Sequence, residues 1–444
     1  MQGIYENLFY HKAVNELFTD AAFIADMLRF EAALAKAQGL HGLIPAAAAS
    51  VIAYCCRVEN IDVGLIKEQI ALSGNAAIPL VKQLTKAVEK ADPNASGYVH
   101  FGATSQDVID TATMLQLKDA FDLIMLDLEK LIGQLAFLAK THKNTVMIGR
   151  TFLQHARPIT FGFKVAGWLD GILRSKQRIE KVFNKSLALQ LGGAVGTLSG
   201  MEDQGILVAE TMCSELNLHM PVMPWHTQRD RIAEIATALG ILAGNIGKMA
   251  TDISLLMQTE VAEVFEPFAA GKGGSSAMPH KRNPVNSIVC ISIAQRIPFL
   301  VASIMSGMAH DHERATGNWH AEWETMASIV QLTAGSLSQA ITLTNGLDVD
   351  AERMLNNLEL TNGLIYSEGV AHALSATMSK TEAHKLVEQC CLLVKEQGIH
   401  LKEIIKKDTL IGTTLTGELI DQLFNPVNPL GLCDQFIDRI LNSI

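Results

Sequence analysis

The sequence has 444 residues and a formal charge of −10, with 48% hydrophobic and 18% charged residues. That length suits roughly two to four domains, and the acidity argues against nucleic acid as the main partner while leaving room for a local basic pocket that takes a small anion. No uncharged apolar run reaches the ~18 residues of a membrane span, the opening "MQGIYENLFYHKAV" lacks the layout of a signal peptide, and seven cysteines without CxxC spacing read as reduced thiols in a cytoplasm.

Helical periodicity dominates the chain. Residues 20–38 repeat apolar side chains at three- and four-residue steps, with Asp20 expected as the cap and the end expected before Gly39. A second amphipathic stretch covers 106–142, and a third runs from 160 to 189 after Pro158 sets a boundary. The fourth, 231–264, has no proline and would extend roughly 50 Å if helical throughout. Ala, Gly, Ile and Leu occupy nearly all its faces, and a helix apolar all round must be buried. Its burial is expected inside a homo-oligomer. Alternating β-branched strands are scarce, so the fold is expected to be all-α. Shifts near residue 104 and at "GLDVDAERM" near 350 divide the chain into 1–104, 105–350 and 351–444.

Polar specificity concentrates in a few segments. In "YVHFGATSQDVIDT" (98–111), His100, Thr104 and Ser105 precede a helix with Asp107 in its first turn. Hydroxyls and free N–H groups at a helix N-terminus suit a carboxylate or phosphate, and they equally suit plain N-capping. "GRTFLQHARPIT" (149–160) offers Arg150, Gln154, His155 and Arg157, where an isolated histidine is as readily a structural donor as a base. In "PWHTQRDRIAE" (224–234), Gln228 and Arg229 suit a polar substrate or helix-start electrostatics. "GKGGSSAMPHKRNPVNS" (271–287) combines glycines, Ser275, Ser276, Lys281 and Asn283. A nucleotide P-loop needs Ser or Thr directly after Gly-Lys, and Gly273 stands there. His310, His312 and His320 lack metal-ligand spacing, so neither metal nor cofactor is expected. A lid that brings serines and cations over an anion remains, with Lys281 supplying fixed positive charge.

The string "GGSSAMPHKRNP" resembles the signature loop of the fumarase/aspartase superfamily, usually written GSSxMPxKxNP. "HFGATSQDVIDT", "GRTFLQHARPIT" and "LQLGGAVGTL" resemble its other segments in the expected order, over essentially the whole chain. The resemblance implies a three-domain, all-α subunit whose long helices form a homotetrameric core, with sites shared between neighbours. It implies that Ser275 is the catalytic serine and that Lys281 and Asn283 bind a substrate carboxylate. Thr104 and Ser105 match the anion-binding hydroxyls. His100, Gln154, Ser276 and Arg314 are further candidates for substrate binding. A serine hydroxyl is a weak acid, so Ser275 needs Lys281 and loop N–H groups to stabilise its alkoxide.

Departures from the adenylosuccinate lyases narrow the reaction. Where those carry a histidine after Arg-Thr, this chain has Phe152; where they carry the paired glutamate, it has Ile288; and "LSGNAAIPLVKQL" lacks their histidine of the first domain. A leaving amine needs an acid, whereas a leaving carboxylate, with a pKa near ~4, does not. The superfamily branch that makes and opens a lactone, the 3-carboxy-cis,cis-muconate cycloisomerases, is similar in "GNAAIPLVKQLT", "WLDGILR", "PWHTQRDRIAE" and "HERATGNWHAEW". The resemblance implies a small tricarboxylate substrate, with an amine-eliminating lyase as the alternative. Ser275→Ala is expected to lower turnover by ~10²–10⁴ with little change in affinity, read by steady-state kinetics on the folded variant. Near-wild-type turnover would move the proton-transfer role to another residue.

Overall fold

The structure is a computed structural model that describes residues 3–267, 274, 278 and 281–444. Ser275 and Ser276 lie outside the described residues. The fold is all-α. The chain divides into two compact units, one of Met1–Glu129, Arg174–Gly247 and Val289–Gln339, the other of Lys130–Leu173, Lys248–Ile288 and Ala340–Ile444.

In the first unit, helix α1 (Asp20–Leu40) is capped by Thr19, whose Oγ1 accepts from the Ala22 N–H at 3.3 Å. Asp20 is therefore the first helical residue rather than the cap, and it still favours the positive end of the helix dipole. Nor does Gly39 stop the helix. A Cβ there would lie 2.5 Å from the Ala49 Cβ of α2 (Ala46–Cys55), so this glycine lets two helices touch. α3 (Ser105–Thr141) and α4 (Phe161–Ser186) follow the sequence expectation within a few residues. α3 has 37 residues, about 55 Å of helix.

α5 (Asp230–Leu256) is shorter than expected, 27 residues or roughly 40 Å. It ends at Leu256, whose carbonyl accepts from the Glu263 N–H at 2.9 Å; Ala262 takes a φ of 52°, Glu263 buries its carboxylate on Arg150, and Val264–Phe265 forms strand β3. α5 is also buried within one chain: Ile235, Leu239, Leu242, Ile246 and Met249 are inaccessible. Ile241 and Leu255 on the same helix remain exposed. The helix left more uncovered is α6 (Val285–Gly307), with Ile288, Phe299 and Met305 exposed. By length and composition α5 and α6 are each apolar enough to cross a membrane; α6 carries Arg296 and Pro298 at its middle. One face of α6 packs through Val289, Ile293 and Ile297 on Ala243 of α5 and Leu332 of α7 (Asn318–Thr344).

In the second unit, Val146–Thr151 and Gln154–Thr160 form an antiparallel hairpin, here β1 and β2, with Thr151 opposite Gln154. β3 pairs with β4 (Asp348–Val349). The core beneath the hairpin joins Ile148 to Val370 and Leu374 of α8 (Ser367–Leu374) and to Val387 and Val394 of α9 (Lys380–Gln397).

The tip of the hairpin is Phe152–Leu153, with φ of 51° and 64°. A two-residue turn with both residues left-handed is usually Asn-Gly, because bulky side chains there cost ~1–3 kcal/mol each. Phe152 is 99% exposed, so no packing within the chain offsets that cost. The double variant F152N/L153G is expected to raise the stability by about 1–3 kcal/mol, seen as a higher thermal-unfolding midpoint. An unchanged or lower midpoint would show that the turn holds no strain.

Candidate active site

The N-terminus of α3 gathers the polar segments of the first unit. Asp107, fully buried in its first turn, accepts from the Gly192 and Gly193 N–H groups at 2.9 Å each and from the Thr104 N–H at 3.0 Å. Its Oδ1 also lies 2.7 Å from the His226 Nε2. One carboxylate thus ties "GATSQD" to "LGGAVG" and to "PWHT". Gly193 has a φ of +69°, and a Cβ on it would sit 2.9 Å from the Gly102 carbonyl oxygen, so a larger residue would break this crossing.

One turn on, Asp110 holds the next contact. It accepts from both terminal nitrogens of Arg229, at 2.7 and 3.1 Å, and from the Trp319 indole N–H at 2.9 Å. Glu322 grips the other edge of Arg229, with Nε at 3.0 Å, and lies 3.4 Å from the His310 Nε2. Burial alone would lower the Arg229 pKa, but Asp110 and Glu322 raise it. Burial would likewise raise that of Glu322, and the His310 and Arg229 contacts bring it below the usual value. Arg229 is saturated by carboxylates from distant segments, so it serves the framework through a buried ion-pair network rather than through helix-start electrostatics. Removing one partner of such a buried pair costs about 3–5 kcal/mol.

This scaffold presents the candidate binding residues. Thr104, at the N-terminal edge of α3, accepts from Arg314 Nη1 at 2.9 Å through its Oγ1. That hydroxyl is thus part of a cationic pair rather than a simple cap. Arg314 Nη2 donates to the Ala194 carbonyl at 3.1 Å, and its buried Nε has no partner among the described residues. Ser105, half-buried, is the first residue of α3. His100 has a φ of 58°, and its Nδ1 lies 2.6 Å from the Glu31 Oε1. His100, Thr104, Ser105 and Arg314 thus lie in one unit around one helix end, which is suited to a carboxylate.

The second unit carries the remaining described candidates. Gln154 is exposed at the start of β2, Lys281 is exposed, and Asn283 is half-buried two residues before α6. Arg150 is bound through both terminal nitrogens to Glu263, at 2.9 and 2.6 Å, and serves the framework. His155 has its pKa lowered by burial and by Arg150, which disfavours its charged form. His320, by contrast, belongs to the first unit and is exposed beside the Trp319 and Trp323 rings.

Glu31 was missed by sequence reasoning. The available signal was a carboxylate amid apolar residues in "FIADMLRFEAALA", where Glu31 is 1% exposed and Asp26 is also buried. A buried acid amid core residues is costly unless it has a partner. Glu322 and Glu263 carried weaker signals, because their partners lie about a hundred residues away.

Comparison with known proteins places this geometry among relatives. The pattern of the family described as Lyase matches residues 9–298, and that described as Adenylosuccinate lyase C-terminus matches residues 363–440. A 3-carboxy-cis,cis-muconate cycloisomerase of Bradyrhizobium diazoefficiens is 48% identical over 96% of this chain and 94% of its own length. One of Acinetobacter baylyi is 44% identical over 100% of this chain and 99% of its own. The crystal structure of a 3-carboxy-cis,cis-muconate lactonizing enzyme from Pseudomonas putida superposes with a TM-score of 0.95 at 45% identity, covering 99% of this chain and 98% of that one.

The His100–Glu31 pair sets a pH dependence. Burial by itself would lower the His100 pKa, but the Glu31 carboxylate more than offsets this and raises it above the usual value. A group whose pKa is higher in the folded state adds stability that is fully present below its unfolded pKa, near ~6.5, and lost as pH rises through the folded value. Thermal unfolding of Glu31→Gln beside the unmodified chain should show a gap in midpoint that is widest below about pH 6.5 and narrows as pH rises above it. A gap that stays constant with pH would mean that His100 does not titrate against Glu31.

Proposed function

Because the chain belongs to the lyase family, with 3-carboxy-cis,cis-muconate cycloisomerases among its full-length relatives, we propose that it interconverts 3-carboxy-cis,cis-muconate and its carboxymuconolactone. The observation that carries the reading is identity of 44–48% to two cycloisomerases over 96% or more of the chain. Substrate and lactone contain the same atoms and electrons, so the reaction is an isomerisation by internal addition. It serves the degradation of aromatic compounds through the β-ketoadipate pathway.

In this reading one substrate carboxylate attacks a carbon of the double bond, and the new C–O bond closes the ring. The electron pair moves to the carbon alpha to another carboxyl, giving an aci-carboxylate, and a proton is then delivered there. Arg314, with Thr104 and Ser105 at the α3 N-terminus, binds a carboxylate by charge-assisted hydrogen bonds. Lys281 stabilises the charge that builds on the aci-carboxylate, where fixed cations act most strongly. Asn283 and Gln154 orient the remaining polar groups, with His100 and Ser276 as further ligands. Ser275 carries the proton. In the reverse direction the leaving group is a carboxylate, which departs without an acid. The absence of an acid at Phe152 and of its paired carboxylate at Ile288 fits that chemistry and disfavours the amine-eliminating alternative.

The same reading takes the chain as a three-domain subunit, divided near residues 104 and 350, in a cytoplasmic homotetramer. The exposed apolar residues of α6 support an assembly that covers them. Neighbouring copies then each contribute a segment to one site, as closed symmetry permits.

The purified protein is expected to consume 3-carboxy-cis,cis-muconate, followed as loss of the conjugated-diene absorbance, and to release no fumarate from adenylosuccinate or argininosuccinate at high enzyme concentration. Robust fumarate release with no diene loss would restore the lyase alternative.

A further inference from the structure

Glu266 follows β3 and is buried, though nothing in the proposed chemistry uses it. Its Oε2 accepts from the Asn286 N–H at 3.0 Å, and its Oε1 accepts from the Ser287 N–H at 2.8 Å and the Ser287 Oγ at 2.7 Å. Those N–H groups belong to the first turn of α6, where helical N–H groups have no partner within the helix and a negative charge is favoured. The Glu266 carbonyl in turn accepts from Arg282 Nη2 at 2.8 Å. The Arg282 guanidinium lies over the Phe265 ring at 5.0 Å, with Nη1 3.6 Å from Asp348 Oδ2.

Residue 266 therefore grips the returning chain at residue 282 and again at 286–287. Asn283 sits between the two grips, and Lys281 is the neighbour of the first. Short local bonds link the same stretch, from the Lys281 N–H to Met278 O at 3.1 Å and from the Val285 N–H to Asn283 O at 2.9 Å. Helix capping alone would require only the carboxylate. The second grip, through the carbonyl to Arg282, extends the anchoring to the stretch that carries the candidate ligands.

We infer that Glu266 is a positioning residue, which holds Lys281 and Asn283 at a fixed distance from β3 by clamping both sides of the 282–287 stretch. The inference rests on the role given to Lys281 above. Catalytic groups displaced by as little as ~1 Å lose rate on the order of a hundredfold, so loosening this base should be felt in kinetics before it is felt in folding.

The test is a double-mutant cycle on the full chain with 3-carboxy-cis,cis-muconate as substrate. E266Q keeps the shape but turns one acceptor into a donor facing the α6 N–H groups, and should lower kcat/KM about 10-fold or more in enzyme whose thermal midpoint shows it folded. K281A should lower kcat/KM by itself, and E266Q added to K281A should cause much less than its separate loss. A merely structural role would multiply the two losses or leave kcat/KM per folded enzyme unchanged, and either result overturns the inference while leaving Lys281 in place. If K281A keeps full activity, the role of Lys281 falls and this inference with it. Should E266Q fail to fold, S287A, which removes only the Oγ bond to Glu266, replaces it in the cycle: a smaller loss that again vanishes in the K281A background supports the clamp, and multiplicative losses overturn it.

Discussion

The candidate site in the first unit depends on burying two carboxylates one turn apart at the start of a 37-residue helix. Asp107 and Asp110 have almost no contact with water, so each must be fully partnered or destabilise the fold severely. Asp107 is satisfied by backbone N–H groups and a histidine, and Asp110 by an arginine and an indole. Those partners come from distant parts of the chain. The demand of two charges for partners is therefore what brings residues near 104, 193, 226 and 319 to one helix end. Thr104 and Arg314 then meet as a consequence of that demand.

Much of this was legible in the sequence, for physical reasons that differ by element. The long helices announce themselves because a 3.6-residue apolar period is a local property, and α3 and α4 begin and end within a few residues of the expected places. Segments such as "HFGATSQDVIDT" and "HERATGNWHAEW" stand out because polar residues interrupt apolar text, and both contribute to the network around Asp110. Boundaries set by tertiary contact were not legible. At the end of α5 the Glu263 N–H returns to the Leu256 carbonyl while its carboxylate meets Arg150, and α1 passes through Gly39 beside Ala49. Local text read the glycine as a stop, whereas its role is to let α2 approach.

Partnership was the least legible feature. Arg229 could have faced a substrate, and only the positions of Asp110 and Glu322 decide that it is saturated. His100 was a candidate by motif alone, and Glu31 supplies the reason for its orientation from 69 residues away. The burial argument for assembly named one helix, and the single chain leaves apolar surface on two: Ile241 and Leu255 of α5, and more of α6. Composition says how apolar α5 and α6 are, and only packing says that its own chain covers more of α5 than of α6.

The uncovered face of α6 also gives the molecule a concentration scale. Phe299 alone is 78% exposed, and such apolar surface leaves water only when another surface meets it. In the assembly proposed above, the folding free energy contains an association term that follows mass action, with each tenfold dilution removing about 1.4 kcal/mol per association step. In that proposal, dilution returns the α6 face to water and concentration covers it, so stability follows the amount of protein present.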